Sequence, residues 1–174
     1  MRTLIIPDLH HCTDHAEHWL AAQRHERVVF LGDYFDNYGD DVGDARRTAI
    51  WLRDRIEKTD DIFLLGNHDI PYMFPRDPQL FCPGFTAAKA RGIGEILRPA
   101  HWQRFRLAHA EQGWLMSHAG FHPVWIKEPT FERKCHLLNP LRWRRVGILN
   151  GAARAMRFAN RAGDAIVAAQ RRRC

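Results

Sequence analysis

Four short segments of this chain carry side chains that can bind metal ions or move protons. They are Asp8-Leu9-His10, Gly32-Asp33-Tyr34-Phe35-Asp36, Gly66-Asn67-His68-Asp69 and Ser117-His118-Ala119-Gly120. Asp8, His10 and Asp33 offer two carboxylates and an imidazole to one divalent ion. Asn67 and His118 offer an amide oxygen and an imidazole to a second. Asp33 has two oxygens on a short stem, so it can bridge two ions roughly 3.5–4 Å apart, the separation used in two-metal hydrolysis. No cysteine belongs to the set, which argues against a structural zinc site. Mixed oxygen and nitrogen donors suit Mn²⁺, Fe or Zn²⁺, and the donor types do not choose among them. His68 has a different role, since as an imidazolium it can donate a proton to a leaving oxygen. Asp36 can accept from the other ring nitrogen, which holds the ring and favours its charged form.

Each segment taken singly has an ordinary use. Asp-x-His is commonly a turn or cap, Gly-Asp suits a turn with positive φ, and Asn and Asp are normal loop residues. Their combination is not ordinary. At residue frequencies of roughly one in twenty, Gly-Asn-His-Asp alone arises by chance in only about one in a thousand chains of this length. The other three segments follow in order, each after an apolar run.

Those runs are the elements that must position the chemistry. Thr3–Pro7, Arg27–Leu31 and Asp61–Leu65 read as buried strands rich in Ile, Val, Leu and Phe, and Trp114–Ser117 as a fourth. Between the first three, Asp14–Arg24 and Asp44–Glu57 read as helices. The second has Ala45, Ala49, Leu52 and Ile56 at helical spacing and Asp44 as its N-cap. Strand–helix alternation implies parallel strands joined by crossovers, whose carboxyl ends face one crevice. After Pro71, Pro75, Pro78 and Pro83 break the pattern, Thr86–Leu97 and His101–Ala108 read as helical, as does Gly151–Arg172.

At 174 residues, 45% apolar and 26% charged, the composition is that of one soluble globular domain. No apolar run approaches the roughly 18 residues of a membrane span, and Asp8 ends the opening apolar run too early for a signal peptide. Cys12, Cys82, Cys135 and Cys174 form no paired motif and are read as reduced thiols in a cytoplasm. The net charge of +6 is uneven: acids gather between Asp33 and Asp77, whereas Asp164 is the only acid after Glu132. A basic face of this kind can attract phosphate-bearing partners or keep a helix soluble.

At the four segments the chain resembles the calcineurin-like metallophosphoesterase superfamily. Asp8-x-His10, Gly32-Asp33-x-x-Asp36 and Gly66-Asn67-His68-Asp69 look like its first three signature blocks. Ser117-His118-Ala119-Gly120 looks like the fourth as found in the serine/threonine phosphatase branch. The likeness runs from about residue 3 to residue 123 and is nearest to small bacterial or phage members. It implies an α/β, four-layer αββα sandwich and a dinuclear centre of two divalent ions, with Mn²⁺ first and Fe or Zn²⁺ as alternatives. It also implies hydrolysis of phosphate esters by a metal-bound hydroxide.

Two departures qualify the likeness. Asn37 stands where the phosphatase branch has a phosphate-binding Arg, and no Gly-His segment supplies the family's last metal ligand. A C-terminally truncated chain with an incomplete second sheet is therefore expected, with His122 or His136 as substitute ligands. Residues 1–125 are expected to form the metal-binding core, and 126–174 a basic, mainly helical segment of the same domain. The expected partner is a phosphorylated substrate. The alternatives are a metal-binding remnant with little turnover and a nucleic-acid-binding module built on the Arg-rich end. Against the module, Trp143 and Phe158 are the only aromatic residues after Glu132.

Overall fold

The computed structural model describes residues 1–120. The expected helix over Gly151–Arg172, His122 and His136 lie outside the described residues. In chain order the described elements are β1 (Thr3–Ile6), α1 (Thr13–Ala22), β2 (Arg27–Phe30), α2 (Val42–Lys58), β3 (Ile62–Leu64), α3 (Ile70–Met73), a 3₁₀ turn (Pro78–Leu80), α4 (Ala87–Gly94), α5 (Pro99–Trp102), β4 (Phe105–Arg106), β5 (Ala108–Glu111) and β6 (Trp114–Ser117).

Strands β1 to β4 form a parallel sheet in the order β1-β2-β3-β4, as crossover connections require. Register places Phe30 beside Phe63 and Phe63 beside Phe105, so one face carries a row of aromatic rings. Phe30 and Phe63 stack with centroids 5.4 Å apart, and Phe63 meets Phe105 at 5.8 Å. Ala16 of α1, Ala45, Ala49, Leu52 and Ile56 of α2, Ile93 of α4 and Trp102 of α5 close over that row to make the main core. The alternate residues Val29, Ile62 and Leu64 face the other way and pack with Leu31 and Met116. That second face is covered by the antiparallel hairpin β5–β6, closed by Gln112 and Gly113, both at positive φ as a two-residue hairpin turn demands. The described chain is thus a helical layer, a parallel sheet and a small antiparallel sheet. No described helix is long and apolar enough to cross a membrane.

Three expectations need correction. The N-cap of α2 is Asp41, not Asp44: Asp41 accepts from the Asp44 backbone N–H and Asp44 answers to the Asp41 N–H, a reciprocal capping box. Helix over His101–Ala108 ends at Trp102, because Phe105 is drawn into the aromatic row and pairs with β3. Trp114–Ser117 is a strand, but of the second sheet; the fourth parallel strand is the two-residue β4, too short to show a period.

Candidate metal centre

The loops after β1, β2 and β3 meet at one rim and are laced together through their backbones. Leu9 and His10 donate their N–H groups to the Asp33 carbonyl at 3.0 and 2.8 Å, and His11 donates to that of Tyr34 at 3.0 Å. The β2 and β3 loops pass so closely that neither can carry a side chain where they touch. A Cβ on Gly32, at φ 109°, would lie 2.3 Å from the Gly66 nitrogen, and one on Gly66 would lie 2.0 Å from Asp33 Oδ1. Glycine is therefore required in both the Gly-Asp and the Gly-Asn segment. His10, His11, Asp33 and Asp36 all take positive φ without being glycine. Such backbone costs about 1–3 kcal/mol per residue and persists only where its surroundings over-determine it.

Much of that determination comes from Asp69, a fully buried residue that ends the third segment. Its carboxylate accepts the backbone N–H groups of Asp33, Tyr34 and Gly66, each at 2.8 Å. The sequence displayed Asp69 inside a motif without assigning it a role; in the fold it clamps two loops.

Asp33 sits at the centre of the cluster with 2% exposure. Its Oδ2 lies 3.3 Å from His118 Nε2 and 3.7 Å from His10 Nε2. Asn67 Oδ1 lies 3.2 Å from the same His118 nitrogen, and Asp8 Oδ1 lies 3.4 Å from His118 Nδ1. His118, His10 and Asp8 thus lie about the Asp33 carboxylate, and Asn67 joins them through His118. Donor atoms of Asp8, Asp33 and His118 all fall within 4.8 Å of one another, close enough for one cation. His118 arrives from the second sheet and reaches the rim by bonding Nδ1 to the Leu31 carbonyl at 3.1 Å. His10 Nδ1 lies 2.6 Å from the Asp36 carbonyl, which directs its proton there and leaves Nε2 facing Asp33. The sequence grouped His118 with Asn67 and the shared Asp33; in the fold it contacts Asp8 as well.

These donors fit a divalent cation. His118 Nε2 has two acceptors before it, Asp33 Oδ2 and Asn67 Oδ1, and its Nδ1 faces two more, so only the doubly protonated ring satisfies them all. Burial pushes the His118 pKa down, but the hydrogen bond and charge of Asp33, with Asp8 and Asp69, raise it to about 9. Burial in turn pushes Asp33 up, and its bond to His118 and the charge of His68 hold it below the usual carboxylate range. The site is one that demands a positive charge, and a proton on His118 supplies it when no ion does.

Beside the cluster, His68 donates its backbone N–H to Asp33 Oδ1 at 2.9 Å and sets its ring edge-on to His10, centroids 5.3 Å apart. His68 Nδ1 lies 3.2 Å from Asp36 Oδ2. Burial lowers the His68 pKa, but the bond to Asp36 and the charge of Asp33 outweigh it and leave it raised. Sequence reading missed the partners behind this pair. Asp36 Oδ1 also accepts from the Tyr72 hydroxyl and from Lys89 Nζ, and Asp40 takes the same lysine together with His11. Cys82 Sγ lies 2.8 Å from the Asn67 carbonyl and 3.7 Å from its side-chain nitrogen, which turns the amide oxygen of Asn67 toward His118. Tyr72, Cys82 and Lys89 lie outside all four segments, so no local pattern marks them.

The search of curated proteins and the search of solved structures return no match. The family model of the calcineurin-like phosphoesterases matches residues 1–168, well beyond the stretch that the four segments delimit. With strand-end Asp, His and Asn residues gathered around one buried carboxylate, and with this match over most of its length, the chain belongs to the calcineurin-like phosphoesterase family.

Proposed function

We propose that this protein hydrolyses phosphate esters at a dinuclear centre. Asp8, His10 and Asp33 would hold one divalent ion, and Asp33, Asn67 and His118 would hold the other. The observation that carries metal binding is the convergence of Asp8, Asp33 and His118 on one point, with acceptors that call for a cation; the division between two ions rests on the family resemblance. Divalent ions bound there supply Lewis acidity, which activates water and neutralises charge on the phosphoryl group. The remaining work is done by the chain. Asp33 sets the position of the whole cluster through its strained backbone and the Asp69 clamp. His68, held by Asp36, donates a proton from its imidazolium to the departing ester oxygen.

Purified protein should hydrolyse an aryl phosphate when Mn²⁺ is supplied and lose this on chelation. Metal analysis of the loaded protein should find about two ions per chain. No turnover with Mn²⁺, Fe or Zn²⁺, in protein shown to bind the metal, would refute the reading.

Metal binding should also release protons. Against burial, Asp33 and the neighbouring carboxylates push the His118 pKa up to about 9 in the metal-free site, so at pH 7 its ring is charged and must lose a proton to become a ligand. Affinity should therefore rise with pH, about tenfold per unit below pH 9, and level off above it. Calorimetry at pH 7 in buffers of different ionisation enthalpy should count about one proton released as the His118 site fills. A proton count of zero would remove His118 from the ligand set.

A further inference from the structure

The most unusual charged group among the described residues is one that the proposed reaction does not yet use. Lys89 lies on α4, whose N-cap Thr86 accepts the Lys89 backbone N–H. Its side chain is 4% exposed. An ammonium has three protons, and burying it without partners is strongly unfavourable. Here Nζ lies 2.9 Å from Asp36 Oδ1 and 2.8 Å from each Asp40 oxygen. Burial lowers the lysine pKa, but its bonds to Asp40 and Asp36 outweigh this and leave it raised.

The position of Asp36 explains why such a group is there. Its two oxygens are used differently, Oδ2 holding His68 while Oδ1 is gripped by Lys89 and the Tyr72 hydroxyl. A carboxylate is planar, so fixing Oδ1 fixes the direction of Oδ2. The Asp36 backbone takes a positive φ of 64°. Gly84 packs against it so closely that a Cβ would come within 2.9 Å of the Asp36 side chain. Asp40 accepts from His11 Nε2 at 2.8 Å, and His11 Nδ1 meets Thr48 Oγ1 of α2 at 2.7 Å, which anchors the far end of the network.

We propose that Lys89 is a positioning residue for proton transfer: its ammonium fixes the Asp36 carboxylate, which in turn holds the His68 ring toward the departing oxygen. This rests on the role given to His68 above. A residue that merely neutralised Asp36 and Asp40 would affect stability alone. A positioning residue affects the reaction where protonation of the leaving group matters.

The test uses Lys89→Met and the double variant Lys89→Met/Asp40→Asn. The double variant removes one of the two carboxylates that the lysine neutralises and so rebalances the buried charge if the single variant folds poorly. With Mn²⁺ bound, both should lose about tenfold to a hundredfold in kcat for an aryl phosphate with a basic leaving group, the range found when a group orienting a functional side chain is removed. The loss should be less than about threefold for an activated ester that leaves without a proton. KM and metal content should stay unchanged. On the metal-free protein, proton NMR should show a hydrogen-bonded His68 Nδ1–H in the wild type that broadens or disappears in both variants. If the double variant restores wild-type leaving-group dependence along with the melting temperature, Lys89 is a neutralising residue and the proposal fails. An unchanged Nδ1–H signal also overturns it. A wild type without turnover would refute the hydrolytic reading, and the NMR comparison would then decide the role of Lys89 alone.

Discussion

Asp33→Asn should strip the metal from this protein and lower turnover at least roughly 10³-fold, about 4 kcal/mol on the barrier. The expectation follows from how much converges on one side chain. Asp33 Oδ1 receives the His68 N–H, and Oδ2 faces both His118 Nε2 and His10 Nε2. Asparagine can keep the first contact, and it tolerates the left-handed backbone at φ 51° better than any other uncharged residue except glycine. The Gly32–Gly66 crossing and the Asp69 clamp bind backbone atoms and are left in place. The substitution thus spares the fold and removes the charge. It also turns an amide N–H₂ toward two imidazoles that face an acceptor in the wild type. Metal analysis of the purified variant, with a thermal melt to confirm folding, is the measurement. Full metal content together with full turnover would remove Asp33 from the centre of the site.

The parts of this molecule legible in the sequence are those whose signal is local. Arg27–Phe30 and Ile62–Leu64 are strands because unbroken Val, Phe, Ile and Leu must be buried on both faces, and the structure buries them so. The apolar set of α2 sits at helical spacing and meets the Phe30 face of the sheet. The four segments stood out because each follows an apolar run; the rim that gathers the first three is a property of parallel sheets, and the fourth reaches it from the antiparallel hairpin.

What escaped is long-range or too short for a period. Phe105–Arg106 is strand only because β3 is there to pair with it. Asp44 looked like an N-cap since both Asp41 and Asp44 precede the apolar pattern, and a capping box uses the pair in roles that spacing does not separate. Lys89 gives no sign in an Ala-rich helix that it will cross to Asp36, a contact spanning 53 residues. The strain at His10, His11, Asp33 and Asp36 is equally silent, because it exists only once Asp69 and the neighbouring carbonyls hold the loops together.

His68→Asn should lower kcat by roughly two to four orders of magnitude while metal content stays near wild type. His68 has its Nδ1 committed to Asp36 at 3.2 Å, which leaves Nε2 as the nitrogen to carry the transferred proton, and its own backbone N–H, not its ring, contacts Asp33. It is well placed to be an acid. Asp36 and Asp33 raise its pKa against the opposing effect of burial, so more of it is imidazolium at neutral pH than of a free histidine. The sign of the pH dependence follows: an acid is competent below its pKa, so kcat should fall as pH rises through that raised value. The loss on substitution should be greatest for esters of basic alcohols, which cannot leave without a proton, and should shrink for activated aryl esters. Turnover of a series of aryl phosphates, plotted against leaving-group pKa for wild type and variant, gives the comparison directly. A steeper slope in the variant identifies His68 as the donor. Two parallel lines would mean that its loss acts on something other than the departing oxygen, and the assignment to His68 would have to be withdrawn.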